Sequence, residues 1–138
     1  MSGNEAEPMG YRVIVVEDEG IIAMMLSRMI ERLGCTVLAC LDNSDTADQA
    51  IAEYKPDLVF MDIQINGERD GIALAAVLAE RQPETRIVFL TANSDDATRN
   101  AALGVKPLAF LRKPVEIEDL ANVLHAMDAG SGARSGDE

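Results

Sequence analysis

Charged and hydroxyl side chains follow four short apolar runs of this sequence. Glu17 and Asp18 come after the first run, Asp62 after another, Thr91 after a third, and Lys113 closely follows the last. Carboxylate oxygens are the ligands that Mg²⁺ prefers, and a lysine ammonium can pair with a phosphoryl oxygen. If these residues meet, they can support metal-assisted phosphoryl transfer, with Asp62 as the carboxylate left to act as nucleophile.

Each of these residues taken alone has an ordinary structural explanation. Glu17 or Asp18 could cap the next helix, Thr91 could begin one, and Lys113 could be a solvated surface lysine. Asp62 could be a turn residue. Their joint placement favours function, because carboxylates packed together repel one another unless a cation neutralises them.

The apolar runs predict the strands that place these residues. Four of the five runs are continuously apolar, which is typical of strands covered on both faces. The predicted strands are Val13–Val16, Val37–Leu41, Leu58–Met61, Ile87–Leu90 and Leu108–Leu111.

Helical periodicity follows each run. The predicted helices lie at about 22–33, 47–54, 74–78, 94–103 and 117–127. Five strand–helix repeats with right-handed crossovers predict an α/β fold: a doubly wound parallel sheet with helices on both faces. Such sheets bind ligands beyond the carboxyl ends of their strands, where the five candidate residues stand.

Composition narrows the classes of function. The 138 residues suit one domain, predicted at 10–128, between a flexible arm at 1–9 and a flexible tail at 129–138. A formal charge of −12 disfavours binding to nucleic acid or anionic membranes. The sequence shows no secretory signal or spanning run, and Cys35 and Cys40 are expected to stay reduced in a cytoplasmic protein.

Four motifs together resemble the receiver domains of bacterial two-component response regulators. They are VVEDE, VFMDI, FLTA and FLRKP, and the likeness covers residues 11–127. The resemblance implies a flavodoxin-like strand order 2-1-3-4-5 and a stand-alone, single-domain response regulator. It also implies a signalling domain, not an enzyme, that promotes its own phosphorylation and dephosphorylation.

The resemblance assigns a metal site. It implies that Glu17 and Asp18 hold Mg²⁺, for which Mn²⁺ can substitute. Asp62 would be both metal ligand and phosphoacceptor, and Gln64 would contribute its backbone carbonyl.

It also assigns catalytic and switch residues. Lys113 would pair with the phosphoryl group, Thr91 would turn toward it, and Phe110 would respond by moving inward. The Lys113–Pro114 bond would be cis, as in relatives. The implied partners are a sensor histidine kinase or histidine phosphotransfer protein and a downstream protein at the face of helix 4, strand 5 and helix 5.

The sequence departs from the family pattern at three places. Glu17 stands where aspartate is commoner, Phe110 lacks a tyrosine hydroxyl, and the loop at 65–71 has no proline and is slightly long. The departure in the loop leaves its shape open.

Three other classes of protein share some of these features. A hydrolase that forms an aspartyl phosphate usually has a second aspartate where Gln64 stands, and a nucleotide or flavin module would not place acidic residues after the first strand. A receiver-fold binding module that works without phosphorylation remains the alternative.

Overall fold

Strands and helices alternate along the whole described chain. The computed structural model describes residues 10–92 and 95–136. Every predicted strand and helix overlaps an observed one. The elements are β1 (Arg12–Val16), α1 (Gly20–Arg32), β2 (Thr36–Leu41), α2 (Ser44–Tyr54), β3 (Leu58–Asp62), α3 (Gly71–Arg81), β4 (Arg86–Thr91), α4 (Asp96–Gly104), β5 (Ala109–Arg112) and α5 (Ile117–Gly136).

The five strands form one parallel sheet in the order β2-β1-β3-β4-β5, which confirms the predicted fold. β1 lies between β2 and β3, so the order of the strands reverses there. The register pairs Asp62 with Leu90 and Thr91 with Arg112. The carboxyl ends of β1, β3, β4 and β5 therefore meet at one edge of the sheet.

The sheet is buried on both faces, and β1 shows how. Val13 and Val15 belong to one core cluster with residues of α1 and α5, while Ile14 and Val16 belong to a second cluster with residues of α2, α3 and α4. All four side chains are fully buried. Two-sided burial explains why the strand sequence is continuously apolar.

Three helices begin at a side-chain cap. Asn43, Asp70 and Asp95 each accept a hydrogen bond from the backbone N–H three residues later, at 2.9, 2.8 and 2.8 Å. Such caps satisfy N–H groups that the helix leaves unpaired. The cap at Asp95 places the start of α4 at Asp96, whereas the sequence predicted residue 94, which lies outside the described residues.

The edge strand β2 contains an irregularity. Val13 pairs with Val37 but Ile14 pairs with Ala39, so Leu38 is an extra residue in the ladder. Cys35 is buried and Cys40 is exposed, and the two are not joined by a disulfide bond.

The last helix, α5, runs from Ile117 to Gly136 and so passes residue 128, the predicted end of the domain. The predicted division into arm, domain and tail stays a prediction. The Tyr11 hydroxyl donates to the Asp128 carboxylate and so ties α5 to the start of β1. The predicted arm at 1–9 lies outside the described residues. Within the part of the chain described, no helix combines the length and apolarity needed to cross a membrane.

Candidate functional site

The strand ends bring the five candidate residues to one edge of the sheet. Glu17 and Asp18 follow β1, Asp62 ends β3, Thr91 ends β4, and Lys113 follows β5. Carboxylate oxygens of Glu17, Asp18 and Asp62 all lie within 4.8 Å of one another. The three carboxylates thus gather as the sequence predicts, and an all-oxygen set of this kind fits Mg²⁺.

Lys113 pairs with two of these carboxylates. Its Nζ lies 2.7 Å from Asp62 Oδ2 and 2.8 Å from Glu17 Oε1, and the side chain is only 13% exposed. Burial alone would lower the pKa of Lys113, but its contacts with Asp62 and Glu17 outweigh burial and raise it. Lys113 is therefore a charged part of the site and not a solvated surface lysine.

Glu17 is buried, and both of its carboxylate oxygens have a partner. Its Oε2 accepts the Glu19 N–H at 3.1 Å, and Oε1 forms the ion pair with Lys113 Nζ at 2.8 Å. Burial raises the pKa of Glu17, although Lys113 and the Glu19 N–H both act to lower it. A carboxylate oxygen that accepts one hydrogen bond keeps a further lone pair for a cation, so the gathered carboxylates of Glu17, Asp18 and Asp62 fit Mg²⁺.

Asp62 is held through both of its carboxylate oxygens. Oδ1 accepts the Gln64 N–H at 3.0 Å, and Oδ2 accepts from Lys113 Nζ at 2.7 Å. The residue is 6% exposed. Two donors from different segments fix the rotation of the carboxylate before any substrate arrives.

The start of α3 packs directly behind Asp62. A Cβ placed on Gly71 would lie 2.4 Å from the Asp62 carbonyl oxygen and 2.9 Å from Ile63 Cα. The absence of a side chain at Gly71 therefore allows the helix to approach the end of β3.

Thr91 and Phe110 flank the site on β4 and β5. Thr91 is buried at the end of its strand, and its carbonyl accepts the Lys113 N–H at 2.8 Å. Phe110 is half-buried, and Arg99 Cζ lies 5.2 Å from its ring centroid, within cation–π range. The Lys113–Pro114 bond is cis, as the resemblance implies.

Sequence reasoning missed two features beside the site. It did not predict the contact of Arg99 with Phe110, because the sequence of an exposed helical arginine does not indicate its partner. It also left open the shape of the loop at 65–71, which lies against the start of α2 through Asn66 and Gly67. The Asn66-Gly67 pair is a turn signal that could have located the bend.

The fold and the site define a receiver-type signalling domain. Residues 13–125 match the response regulator receiver domain, so the chain belongs to this family.

Relatives and solved structures agree with this assignment. The chain is 37% identical over 114 residues to the positive alginate biosynthesis regulatory protein of Pseudomonas aeruginosa, covering 81% of this chain and 45% of that protein. It is 35% identical over 109 residues to the transcriptional regulatory protein PdtaR of Mycobacterium tuberculosis, covering 79% and 52%. The chain thus spans about half the length of these curated relatives. The receiver domain of a modulated diguanylate cyclase from Desulfovibrio desulfuricans G20 superposes with a TM-score of 0.80 and 30% identity, covering 94% and 99% of the two chains.

Proposed function

We propose that this chain is a phosphoacceptor response regulator in which Asp62 receives a phosphoryl group from a histidine kinase or a histidine phosphotransfer protein. The observation that carries the proposal is the ion pairing of Lys113 with both Asp62 and Glu17, beside the gathered carboxylates of Glu17, Asp18 and Asp62. A candidate nucleophile, a positive charge and a carboxylate cluster that fits a cation stand together, and phosphoryl transfer depends mainly on such positioning and charge.

The transfer is a simple displacement at phosphorus. One carboxylate oxygen of Asp62 attacks the phosphorus, the P–N bond of the donor breaks, and its electron pair stays on the imidazole. Lys113 stabilises the charge on the phosphoryl oxygens, and Thr91 supplies a hydroxyl at the end of β4. The product is an acyl phosphate, which adds about two negative charges at the buried Asp62.

Glu17, Asp18 and Asp62 would hold Mg²⁺, with the backbone carbonyl of Gln64 completing the set. The ion would supply positive charge that offsets the gathered carboxylates and the phosphoryl oxygens. Mn²⁺ has similar ligand preferences and would substitute.

Magnesium should stabilise the folded protein, because it would neutralise carboxylates that are buried together. At a concentration about 100 times its Kd, we expect the free energy of unfolding to rise by about 2.7 kcal/mol. Thermal unfolding with Mg²⁺ and with chelator measures this gain. Glu17→Gln should lose most of it, while Glu84→Gln, an exposed change away from the site, should keep it. An equal gain in stability in Glu17→Gln would show that Glu17 does not bind the metal.

Beryllofluoride binding tests the proposed function. This phosphoryl analogue should stabilise the parent only in the presence of Mg²⁺ and should have no effect on Asp62→Asn. Binding that survives the substitution would contradict the role of Asp62. If the parent fails to bind while remaining folded, the alternative of a binding module that works without phosphorylation would replace this proposal.

An apolar patch on α1 is suited to the phosphodonor. Ile21, Met24 and Met25 are 71%, 46% and 54% exposed. Met24 also lines a groove of about 690 Å³ together with Asp18 and Gly20, so the patch continues to the edge of the acidic site. A protein that brings a histidine to Asp62 must cover this region, and apolar contacts there would orient it.

Ile21→Asp should slow transfer from a phosphorylated histidine phosphotransfer protein by about tenfold or more, because it puts a charge in the apolar interface. Phosphorylation by acetyl phosphate should be unchanged, because a small donor needs no docking surface. Tyr54→Asp is the matched control, since Tyr54 is 41% exposed but lies near Arg12 at the opposite end of the sheet. Equal slowing with both donors would contradict a docking role.

The output would lie at α4, β5 and α5. Thr91 would turn toward the acyl phosphate, and Phe110 would rotate inward, leaving its contact with Arg99. Ala102 is the buried residue of α4, so this helix is held by little apolar packing and can shift. A downstream protein would recognise the changed face. The free thiols at Cys35 and Cys40 fit a reducing, cytoplasmic setting.

A further inference from the structure

The loop between β3 and α3, residues 63–70, is fastened to the start of α2. The Ser44 N–H donates to the Asn66 carbonyl at 2.7 Å, and Ser44 Oγ accepts the Arg69 N–H at 3.1 Å. Asn43 and Asn66 also form an isolated parallel bridge. Ser44 is 2% exposed, so the helix side of these bonds is buried. We call the contacts of Ser44 with this loop the Ser44 clamp.

Gly67 makes the clamp sterically tight. Its φ is +113°, a conformation that residues with side chains rarely adopt. An added Cβ would lie 2.3 Å from Ser44 Oγ and 2.8 Å from Ser44 N. The loop and the start of α2 therefore leave no room for a side chain at position 67.

The ion pairs nearby contribute little to this attachment. Asp48 lies 3.9 Å from Arg69 and 2.8 Å from Arg81, and both arginine side chains are well exposed, at 44% and 39%. Exposed pairs of this kind stabilise only weakly. The buried backbone and hydroxyl contacts of Ser44 are thus the main fastening.

The same loop reaches Asp62 from its other end. The Gln64 N–H donates to Asp62 Oδ1 at 3.0 Å, and the Ile63 N–H donates to the Leu90 carbonyl at 3.1 Å. Ile65, one residue further, is buried in the core. The Gln64 peptide is therefore held between the sheet on one side and the Ser44 clamp on the other.

We propose that Ser44 is a positioning residue for Asp62, acting through the loop and the Gln64 N–H. The inference rests on the proposed function, since it concerns how readily Asp62 is phosphorylated. With the clamp broken, the Gln64 amide would move and the Asp62 carboxylate could rotate on Lys113 alone. Small displacements of a reacting group are costly, because transfer depends on a near-attack geometry.

Ser44→Ala is a clean test because Asn43, not Ser44, caps α2. Ala at the first helical position leaves the helix intact while removing the acceptor of the Arg69 N–H. Gly67→Ala is the stronger variant. Gln49→Gly is the control, since it weakens α2 through helix propensity at an exposed site without touching the loop.

Two readouts are taken on the full chain. The first is hydrogen exchange of the Gln64 amide in chelator, and the second is the initial rate of phosphorylation by acetyl phosphate at saturating Mg²⁺, well below the unfolding temperature. Ser44→Ala and Gly67→Ala should speed Gln64 exchange relative to core amides and slow phosphorylation by about tenfold. Gln49→Gly should change neither.

Unchanged Gln64 exchange in both clamp variants would overturn the inference, as would a parent-like rate of phosphorylation in them. A parent protein that accepts no phosphoryl group would instead overturn the proposed function, and with it the role of Ser44 in phosphoryl transfer. In that case Gln64 exchange would still show whether the clamp holds the loop.

Discussion

Replacing Lys113 with methionine is expected to lower the free energy of unfolding of the metal-free protein by about 3 kcal/mol. Methionine keeps most of the side-chain volume but leaves Glu17 and Asp62 buried without their cation. Lys113 Nζ is 2.7–2.8 Å from both carboxylates, and the Glu17 side chain is fully buried. Urea unfolding in the presence of chelator measures the loss.

Arg112→Met is the matched control for this prediction. Arg112 precedes Lys113 in the chain and is exposed, so its removal changes the net charge equally without uncovering a buried carboxylate. Mg²⁺ should recover part of the stability of Lys113→Met, because the ion offsets the same negative charges. Equal, small losses in the two variants would show that Lys113 does not balance the buried carboxylates.

Gly71→Ala is expected to destabilise the fold by about 3 kcal/mol, because the new methyl group would overlap the backbone of β3. The atoms in the way are the Asp62 carbonyl oxygen at 2.4 Å and Ile63 Cα at 2.9 Å, neither of which belongs to a flexible side chain. Relief requires α3 or the end of β3 to shift, so the variant should also phosphorylate more slowly than its remaining folded fraction explains.

Gly104→Ala separates this steric effect from the general cost of changing a helical glycine. A Cβ at Gly104 would meet no atom within 4 Å, and the residue lies within α4. It should therefore be neutral or stabilise by about 0.4–1 kcal/mol. Chemical denaturation measures the free energy of unfolding of both variants. A Gly71→Ala protein as stable as Gly104→Ala would contradict the close packing of α3 against the backbone of Asp62 and Ile63.

Much of the fold could be predicted because its strands are buried on both sides. Residues such as Ile14 and Phe60 are fully buried, so continuous apolar runs and their polar ends are visible in the sequence. The convergence of Glu17 and Asp62 followed from the parallel sheet alone, since the carboxyl ends of parallel strands share an edge. The strand order itself came from the resemblance.

The features that could not be predicted depend on contacts between distant segments. The bond of Ser44 Oγ with the Arg69 N–H spans 25 residues, and the stacking of Arg99 on Phe110 joins α4 to β5. Neither contact produces a periodic pattern in the sequence. The double ion pair of Lys113 with Glu17 and Asp62 likewise depends on the rotamers of all three side chains, which spacing cannot reveal.

The helix α5 extends into residues whose composition is unusual for a helix. Glycine, serine and charged residues after Asp128 are typical of a flexible tail. The helix nevertheless runs to Gly136 from a well-packed first half, in which Leu120, Val123 and Leu124 are buried. A helix nucleated by packing can extend into residues that would not begin one.

The most direct test of Asp62 as the phosphoacceptor is the intact mass of the protein after incubation with Mg²⁺ and acetyl phosphate. We expect a gain of one phosphoryl group in the parent, no gain in Asp62→Asn, and no gain in the parent when chelator is present. A folded parent that gains no mass, or an Asp62→Asn protein that gains as much as the parent, would contradict the assignment of Asp62 as the phosphoacceptor.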